Sequence, residues 1–266
     1  MITSVKNRRI VEAYKLYQRK HRERQHRFLV EGLDIIEAAI NSGALPDEIF
    51  YCSGMLRKRT YTGLVRRLQK MGVTLVDVSP QVLEHLSRKE TPTGLLATFG
   101  LFETPIEYLQ AIPIHKPTFL LILDRLQDPG NVGTLIRTAD AVGAYAVVLI
   151  EPCVDPFDYK TVAGTTGSLF SVPVIRTYNL PDLFSTLASR ITVVGSKTLA
   201  GKVAWNSTSF NDSVALVLGN EARGISQDMQ VYIDEWVHLP LIGNAESLNV
   251  SVAGGALAYI WLTKNL

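Results

Sequence analysis

The alternation of apolar and polar positions divides this chain into two halves. In the first, RFLVEGLDIIEAAINSG predicts a short strand running into an amphipathic helix that stops at Gly43, and EIFYC reads as the next strand. A basic helix through LVRRLQKMG, the strand VTLVDV, the short helix PQVLEHLSR and the strand GLLATF complete an α/β/α layer, large enough for a small independent domain. Over residues 104–117, Pro105, Pro113 and Pro117 interrupt any regular element, and a linker is expected there.

The second half restarts at TFLLILDRL, a nearly continuous apolar run typical of a parallel strand covered on both faces. Further strands are expected at AYAVVLI, VPVIRTY, ITVVGS, SVALVLGN and EWVHLPL, and helices at VGTLIRTADAVG, LPDLFSTLASR, SQDMQVYID and the end of the chain. This rhythm implies an α/β fold with a mostly parallel sheet and helices on both faces. The expected domains are residues 1–103 and 118–266. The closing stretch LPLIGNAESLNVSVAGGALAYIWL is a puzzle, because Ser247, Asn249, Val250, Ser251, Val252, Gly254 and Gly255 are poor helix formers placed where a helix should begin.

Composition adds a core and a compartment. With 266 residues, 47% of them hydrophobic and 20% charged, the chain can bury a sizeable interior. Cys52 and Cys153 have no companions at metal spacing and favour a reducing compartment, so a cytoplasmic location without a metal is expected. The basic, polar beginning and the lack of a long apolar run support neither signal peptide nor membrane span.

Charge is unevenly placed. Residues 1–103 hold 17 Lys+Arg against 11 Asp+Glu, a net +6, whereas residues 104–266 hold 10 against 14, a net −4. The excess concentrates in KNRRIVEAYKLYQRKHRERQHR, residues 6–27, and at Arg57, Lys58, Arg59, Arg66, Arg67 and Lys70. Such blocks suit a nucleic-acid partner, and a solvated helix face is the alternative.

In open α/β sheets ligands gather beyond the carboxyl ends of strands, which directs attention to three loops. LQDPGNVGTLIRTADAVGA carries Asn131, which is open to use as a helix cap, and Arg137, which is open to use as a surface charge. LVLGNEARGIS brackets Glu221 with glycines, and the closing stretch offers Ser247, itself a possible N-cap. No Walker loop, G-x-G-x-x-G turn or G-x-S-x-G elbow occurs, so an NTPase, a dinucleotide oxidoreductase and an α/β hydrolase are disfavoured. His21, His26, His85, His115 and His238 show no metal spacing.

Together, NVGTLIRTADAVGA, LGNEARG and LPLIGNAESLNVSVAGGALAY resemble the three motifs of the SpoU (TrmH-like) branch of the SPOUT RNA methyltransferases, and the likeness covers residues 118–264. Residues 1–103, with FLVEG and TPTGLLATF, resemble the small RNA substrate-binding domain of the ribosomal protein L30e type that often precedes it. The resemblance implies transfer of a methyl group from S-adenosyl-L-methionine to a ribose 2′-hydroxyl of structured RNA, 23S ribosomal RNA foremost, by a homodimer with a C-terminal trefoil knot. A transfer RNA substrate, or a non-catalytic RNA-binding or ribosome-assembly factor on the same fold, are the alternatives. It implies catalytic roles for Asn131, Arg137, Glu221, Ser247 and Asn249. It places the cofactor against Gly219, Leu239 and Leu248, with Leu218, Ile242 and Thr198 as neighbours. It also answers the puzzle of the last helix: packing in the knot and the dimer would hold what propensity does not, with Ser251, Gly254, Gly255 and Ala258 permitting close approach.

Overall fold

The computed structural model describes residues 1–55, 59–113, 115–187 and 191–266. Arg57 and Lys58 of the second basic cluster, the side chain of Arg59, and the end of the helix predicted over 180–190 lie outside the described residues. The chain forms two compact units, Met1–Phe102 with Phe157–Ser171 and Glu103–Pro156 with Val172–Leu266.

In the first unit, the charge-rich stretch folds as two short helices, α1 (Arg8–Lys15) and α2 (Arg19–Gln25). Asn7 caps α1 by accepting from the Arg9 N–H at 3.0 Å, and Ile10 and Ala13 turn inward while Arg8 and Arg9 stay exposed; in α2, Arg22 is buried and donates to Leu16 O at 2.9 Å. Then follow β1 (Arg27–Glu31), α3 (Leu33–Asn41), β2 (Glu48–Tyr51), α4 (Arg59–Lys70), β3 (Thr74–Asp77), α5 (Pro80–Leu86) and β4 (Leu95–Gly100). The four strands lie in the order β1-β4-β2-β3, with β4 antiparallel to both neighbours and β2 parallel to β3. Helix α3 buries Ile35, Ile36, Ala39 and Ile40, the spacing that made it legible as amphipathic.

The second unit contains β5 (Phe119–Asp124), α6 (Pro129–Ala141), β6 (Ala146–Ile150), β7 (Val174–Thr177), α8 (Leu180–Leu187), β8 (Thr192–Ser196), β9 (Lys202–Val203), β10 (Val214–Gly219), α9 (Gln227–Gln230), β11 (Glu235–His238) and α10 (Val250–Asn265); between β6 and β7 runs α7 (Tyr159–Thr165) of the first unit. Seven parallel strands form one sheet in the order β7-β6-β5-β10-β8-β11-β9. Strands β5 and β6 are buried along their whole length, which explains their unbroken apolar runs. Each fully buried Leu, Ile or Val there contributes about 1.5–3 kcal/mol.

Two segments differ from expectation. The stretch expected as a linker contains a 3-10 turn, Ile106–Ala111, whose Leu109 is 1% exposed and joins the core of the second unit with Leu183 and Leu187 of α8. Residues 157–171, expected in the second domain, pack with the first unit through aromatic contacts: Phe157 lies 4.8 Å from Phe28 and Phe170 lies 4.9 Å from Phe99. There the Tyr159 hydroxyl donates to Glu31 at 2.9 Å, and Gly167 sits where an added Cβ would come within 2.4 Å of Ala38.

Within the single chain, the last helix follows the physical logic expected of it at one of its two glycines. At Gly254 an added Cβ would lie 2.5 Å from the terminal methyls of both Leu135 of α6 and Leu218 of β10, so any larger residue would have to displace these two buried leucines for α10 to pack so closely. Ala258 and Leu257 are buried beside it, and the Trp261 indole packs 5.1 Å from Phe119 while its N–H donates to Asp212 O at 2.8 Å. Gly255 faces open space and performs no such task within the chain.

Candidate active site at the carboxyl ends of the strands

The loops that follow β5, β8, β10 and β11 emerge at one edge of the second sheet, and side chains from within these loops and from their neighbours fix the backbone after β5, β10 and β11. Asp128, not Asn131, caps α6, accepting from the Asn131 N–H at 2.8 Å. Likewise Asn249, not Ser247, caps α10, its Oδ1 accepting from the N–H groups of Ser251 at 2.9 Å and Val252 at 3.4 Å. Both cap assignments therefore move by two or three residues, and Asn131 and Ser247 are released for other contacts.

After β10 the chain turns back on itself so tightly that a Cβ on Gly219 would lie 2.2 Å from the backbone of Gly224 and Ile225. Asn220 holds this turn, accepting from the N–H groups of Ala222 and Arg223 at 3.0 and 3.1 Å and donating to Arg125 O at 2.9 Å. Fully buried Asp124 accepts from the Ser226 N–H at 2.6 Å. Arg125, in the left-handed region at φ 60, pairs with Asp228 at 2.6 Å, and that hydrogen bond raises the guanidinium and lowers the carboxyl from their ordinary ranges.

On this frame three of the expected catalytic residues meet. The Asn131 Nδ2 donates to Glu221 Oε1 at 3.0 Å, and the Asn249 Nδ2 donates to Asn131 Oδ1 at 3.0 Å. The chain of bonds has one consistent direction. A carboxylate only accepts, so Asn131 must turn its amino group toward Glu221; its oxygen then accepts from Asn249, whose own oxygen is left for the helix cap. Ser247 lies on the same loop, exposed, and lines the adjoining cleft. Arg137 is on α6, exposed and outside the lining of that cleft.

The cleft measures about 610 Å³ and is lined by Thr198, Leu218, Gly219, Glu221, Ser247, Leu248 and Asn249, among others. Leu239 joins Thr198 and Leu248 in a smaller cavity of about 50 Å³ that shares part of this lining. Ile242 is fully exposed and lines neither. Sequence reading did not single out Trp236, Lys197, Asn220 or Arg223, which also line the cleft. Asn220 had a visible signal, an Asn directly after a strand and before a turn. Trp236 had none, because its place against Gly195 and Gly201 depends on pairing between strands distant in sequence. Leu218, Ile225, Trp236 and Leu248 give the cleft an apolar side, polar and charged side chains such as Lys197, Glu221, Arg223 and Asn249 face it, and Gly219 and Gly224 bring backbone close, a mixed lining that suits a small organic ligand bearing both apolar and polar groups. Among the described residues, no group of His, Cys, Asp or Glu is arranged to hold a metal.

Comparison with known proteins places this chain in a family. Residues 118–259 match the SpoU rRNA Methylase family, and residues 7–97 match the MRM3-like substrate binding domain. The chain is 32% identical to the 23S rRNA (guanosine(2553)-2′-O)-methyltransferase RlmP of Bacillus subtilis over 97% of each protein. Its fold is similar to an AdoMet-bound rRNA methyltransferase from Sinorhizobium meliloti, with a TM-score of 0.87 and 28% identity over 100% of this chain and 98% of that one. It is similar in the same degree, TM-score 0.87 and 26% identity over 97% and 98%, to the SpoU methyltransferase AviRb from Streptomyces viridochromogenes in complex with AdoMet. The hydrogen-bonded trio and the cleft beside it thus belong to a chain that is a member of the SpoU rRNA methylase family, with an MRM3-like substrate-binding domain in front.

Proposed function

We propose that this chain is an S-adenosyl-L-methionine-dependent methyltransferase that methylates a ribose 2′-hydroxyl in 23S ribosomal RNA. The observation that carries this reading is the meeting of Asn131, Glu221 and Asn249 beside a ligand-sized cleft, in a member of this family. The residues fit the cofactor chemically. Gly219, Leu218 and Leu248 offer apolar surface and unshielded backbone groups for an adenosyl moiety, with Leu239 and Thr198 completing the floor. Ile242, exposed in the single chain, is assigned to the rim.

When bound, the cofactor supplies an electrophilic methyl on a sulfonium. The protein's task is to hold the acceptor oxygen in line and to favour the charge that develops on it. Glu221 fixes Asn131, and Asn131 fixes Asn249, so the polar edge of the site is rigid before RNA arrives. Ser247 and Asn249 orient the ribose hydroxyl. Arg137 grips an RNA phosphate and stabilises the alkoxide that develops as the hydroxyl proton passes to solvent water; a guanidinium with a pKa above about 12 is a poor base.

The working unit is a homodimer in this reading. Helix α10 leaves Val252 and Tyr259 half or more exposed on an apolar face, and Arg137 lies outside the cleft of its own chain, so it is assigned to the partner subunit's site. The C-terminal segment is assigned a trefoil knot. The irregular run after β11 lines the same cleft as the turn after β10, and α10 packs back on α6 and β10. Arg66, Arg67 and Lys70 of α4, with the charged faces of α1 and α2, supply phosphate contacts in the L30e-like unit. The protein is assigned to the cytoplasm in this reading, as the site of ribosomal RNA modification.

The test is incubation of the purified protein with methyl-labelled cofactor and unmodified 23S RNA, followed by alkaline hydrolysis. A 2′-O-methyl group blocks cleavage at its own phosphodiester, so the label is expected in an alkali-resistant dinucleotide. Label on a mononucleotide base would overturn the assignment.

A further inference from the structure

The first unit contains a second cavity, of about 270 Å³, that the catalytic reading does not use. Its wall is the start of α1, with Arg8 and Arg9, together with Gln25 at the end of α2; its floor is the sheet, with Arg27 from β1, Glu48 from β2 and Thr98 from β4. Glu48 and Thr98 are register partners across the antiparallel pair and so share a face. Thr98 is only 2% exposed and its hydroxyl has no hydrogen-bond partner, an expensive arrangement for a group that lines a cavity.

Its charges meet at Glu48. Arg9 Nε lies 3.3 Å and Arg27 Nη1 4.0 Å from opposite oxygens of Glu48, which leaves the carboxylate further lone pairs. Glu12, the other acidic group in the lining, is engaged by Lys15 at 2.7 Å and Arg24 at 3.5 Å. Arg8 is exposed at the rim and makes no ion pair among the described residues. A carboxylate and an unpartnered hydroxyl at the bottom, the carboxylate flanked by Arg9 and Arg27 and the rim carrying Arg8, suit a ligand whose inner end is a flat donor-bearing ring and whose outer end is anionic.

We propose that this cavity takes one unstacked nucleotide of the RNA, with guanine preferred. Glu48 accepts from guanine N1–H and the N2 amino group, Thr98 satisfies its hydroxyl on the base, and Arg8 and Arg9 hold the flanking phosphates. Adenine presents an acceptor at N1 toward the same carboxylate and is disfavoured. The inference deepens the RNA-methyltransferase reading and rests on it for the identity of the polymer.

The test uses the full chain and stem–loop RNAs whose seven-nucleotide uridine loops carry one central guanosine or adenosine. The guanosine loop is expected to bind about fivefold or more tightly, the lower end of what a bidentate base contact gives. Glu48→Gln should bring the two within about twofold, and Thr98→Val, which breaks no ion pair, should weaken the guanosine loop selectively. Arg8→Ala should weaken both equally. Equal binding of the two loops by the wild type, or a preference that survives in Glu48→Gln, overturns the proposal. Calorimetry with S-adenosylmethionine on the same samples separates the two readings. Cofactor binding without loop preference removes the pocket alone, and loop preference without cofactor binding removes the catalytic reading alone.

Discussion

Asn131 and Glu221, ninety residues apart in sequence, are joined by a 3.0 Å hydrogen bond whose direction dictates the orientation of a third residue, Asn249. Asn131→Asp tests this relation sharply, because it keeps the shape but places two acceptors, both negative, against each other. Methyl transfer should fall about 100-fold, while cofactor affinity measured by calorimetry should change less than about threefold. A variant with full activity removes the trio from catalysis.

Arg137→Ala separates electrostatic assistance from proton abstraction. An arginine that only stabilises charge predicts a loss of about 10²- to 10³-fold at every pH, with the shape of the rate profile unchanged, because the group that titrates is elsewhere. A shifted alkaline limb would identify Arg137 as the base. Mixing Arg137→Ala with Asn131→Asp subunits should restore activity if the arginine serves the partner's site, and no recovery opposes that arrangement.

Two adjacent glycines in α10 should respond with opposite signs. Gly254→Ala drives a methyl to 2.5 Å from Leu135 and Leu218 and should cost about 1–3 kcal/mol in denaturant unfolding. Gly255→Ala meets nothing within 4 Å of its own chain and should stabilise the monomer by up to about 1 kcal/mol through helix propensity, even if it weakens a dimer packed on the Val252 and Tyr259 face. Equal effects would contradict the packing described for this helix.

Strands were legible because burial on both faces demands unbroken apolar runs, and β5, β6 and β10 had little other way to be written. The convergence of Asn131, Glu221 and Asn249 was legible only through family likeness. No periodicity encodes which loops meet at a sheet edge. The alternative use of Asn131 and Ser247 as caps does not hold, because a cap is defined by the first helical residue, and Asp128 and Asn249 occupy those positions. The attachment of residues 157–171 to the first unit was invisible because aromatic packing of Phe157 and Phe170 on Phe28 and Phe99 is a long-range property.

Glu235 ties the edge of the second sheet to its neighbours. Burial works to raise its pKa, but hydrogen bonds from Lys202, Ser207 and Ser209 outweigh it and hold the group at about 2. A depressed carboxyl contributes stability that is complete above its unfolded value near 4.5 and lost as pH falls toward 2. Glu235→Gln should therefore be destabilised by about 1–3 kcal/mol at pH 7, the lower figure reflecting the exposure of Lys202, with the difference closing between pH 4.5 and 2. A gap that persists at pH 2 would show that the carboxylate does not act through charge.

RNA affinity should fall steeply with salt, and replacing Arg66, Arg67 and Lys70 with glutamine should reduce the slope of log K against log salt by about one for each phosphate no longer neutralised. A flat salt series would remove the basic helices from binding.

The most direct measurement is a map of 2′-O-methyl groups in total RNA from cells with and without the gene. One position in large-subunit ribosomal RNA should lose its methyl group on deletion and regain it with the wild-type gene but not with Asn131→Asp. An unchanged map from cells lacking a protein that binds S-adenosylmethionine in vitro would contradict the account.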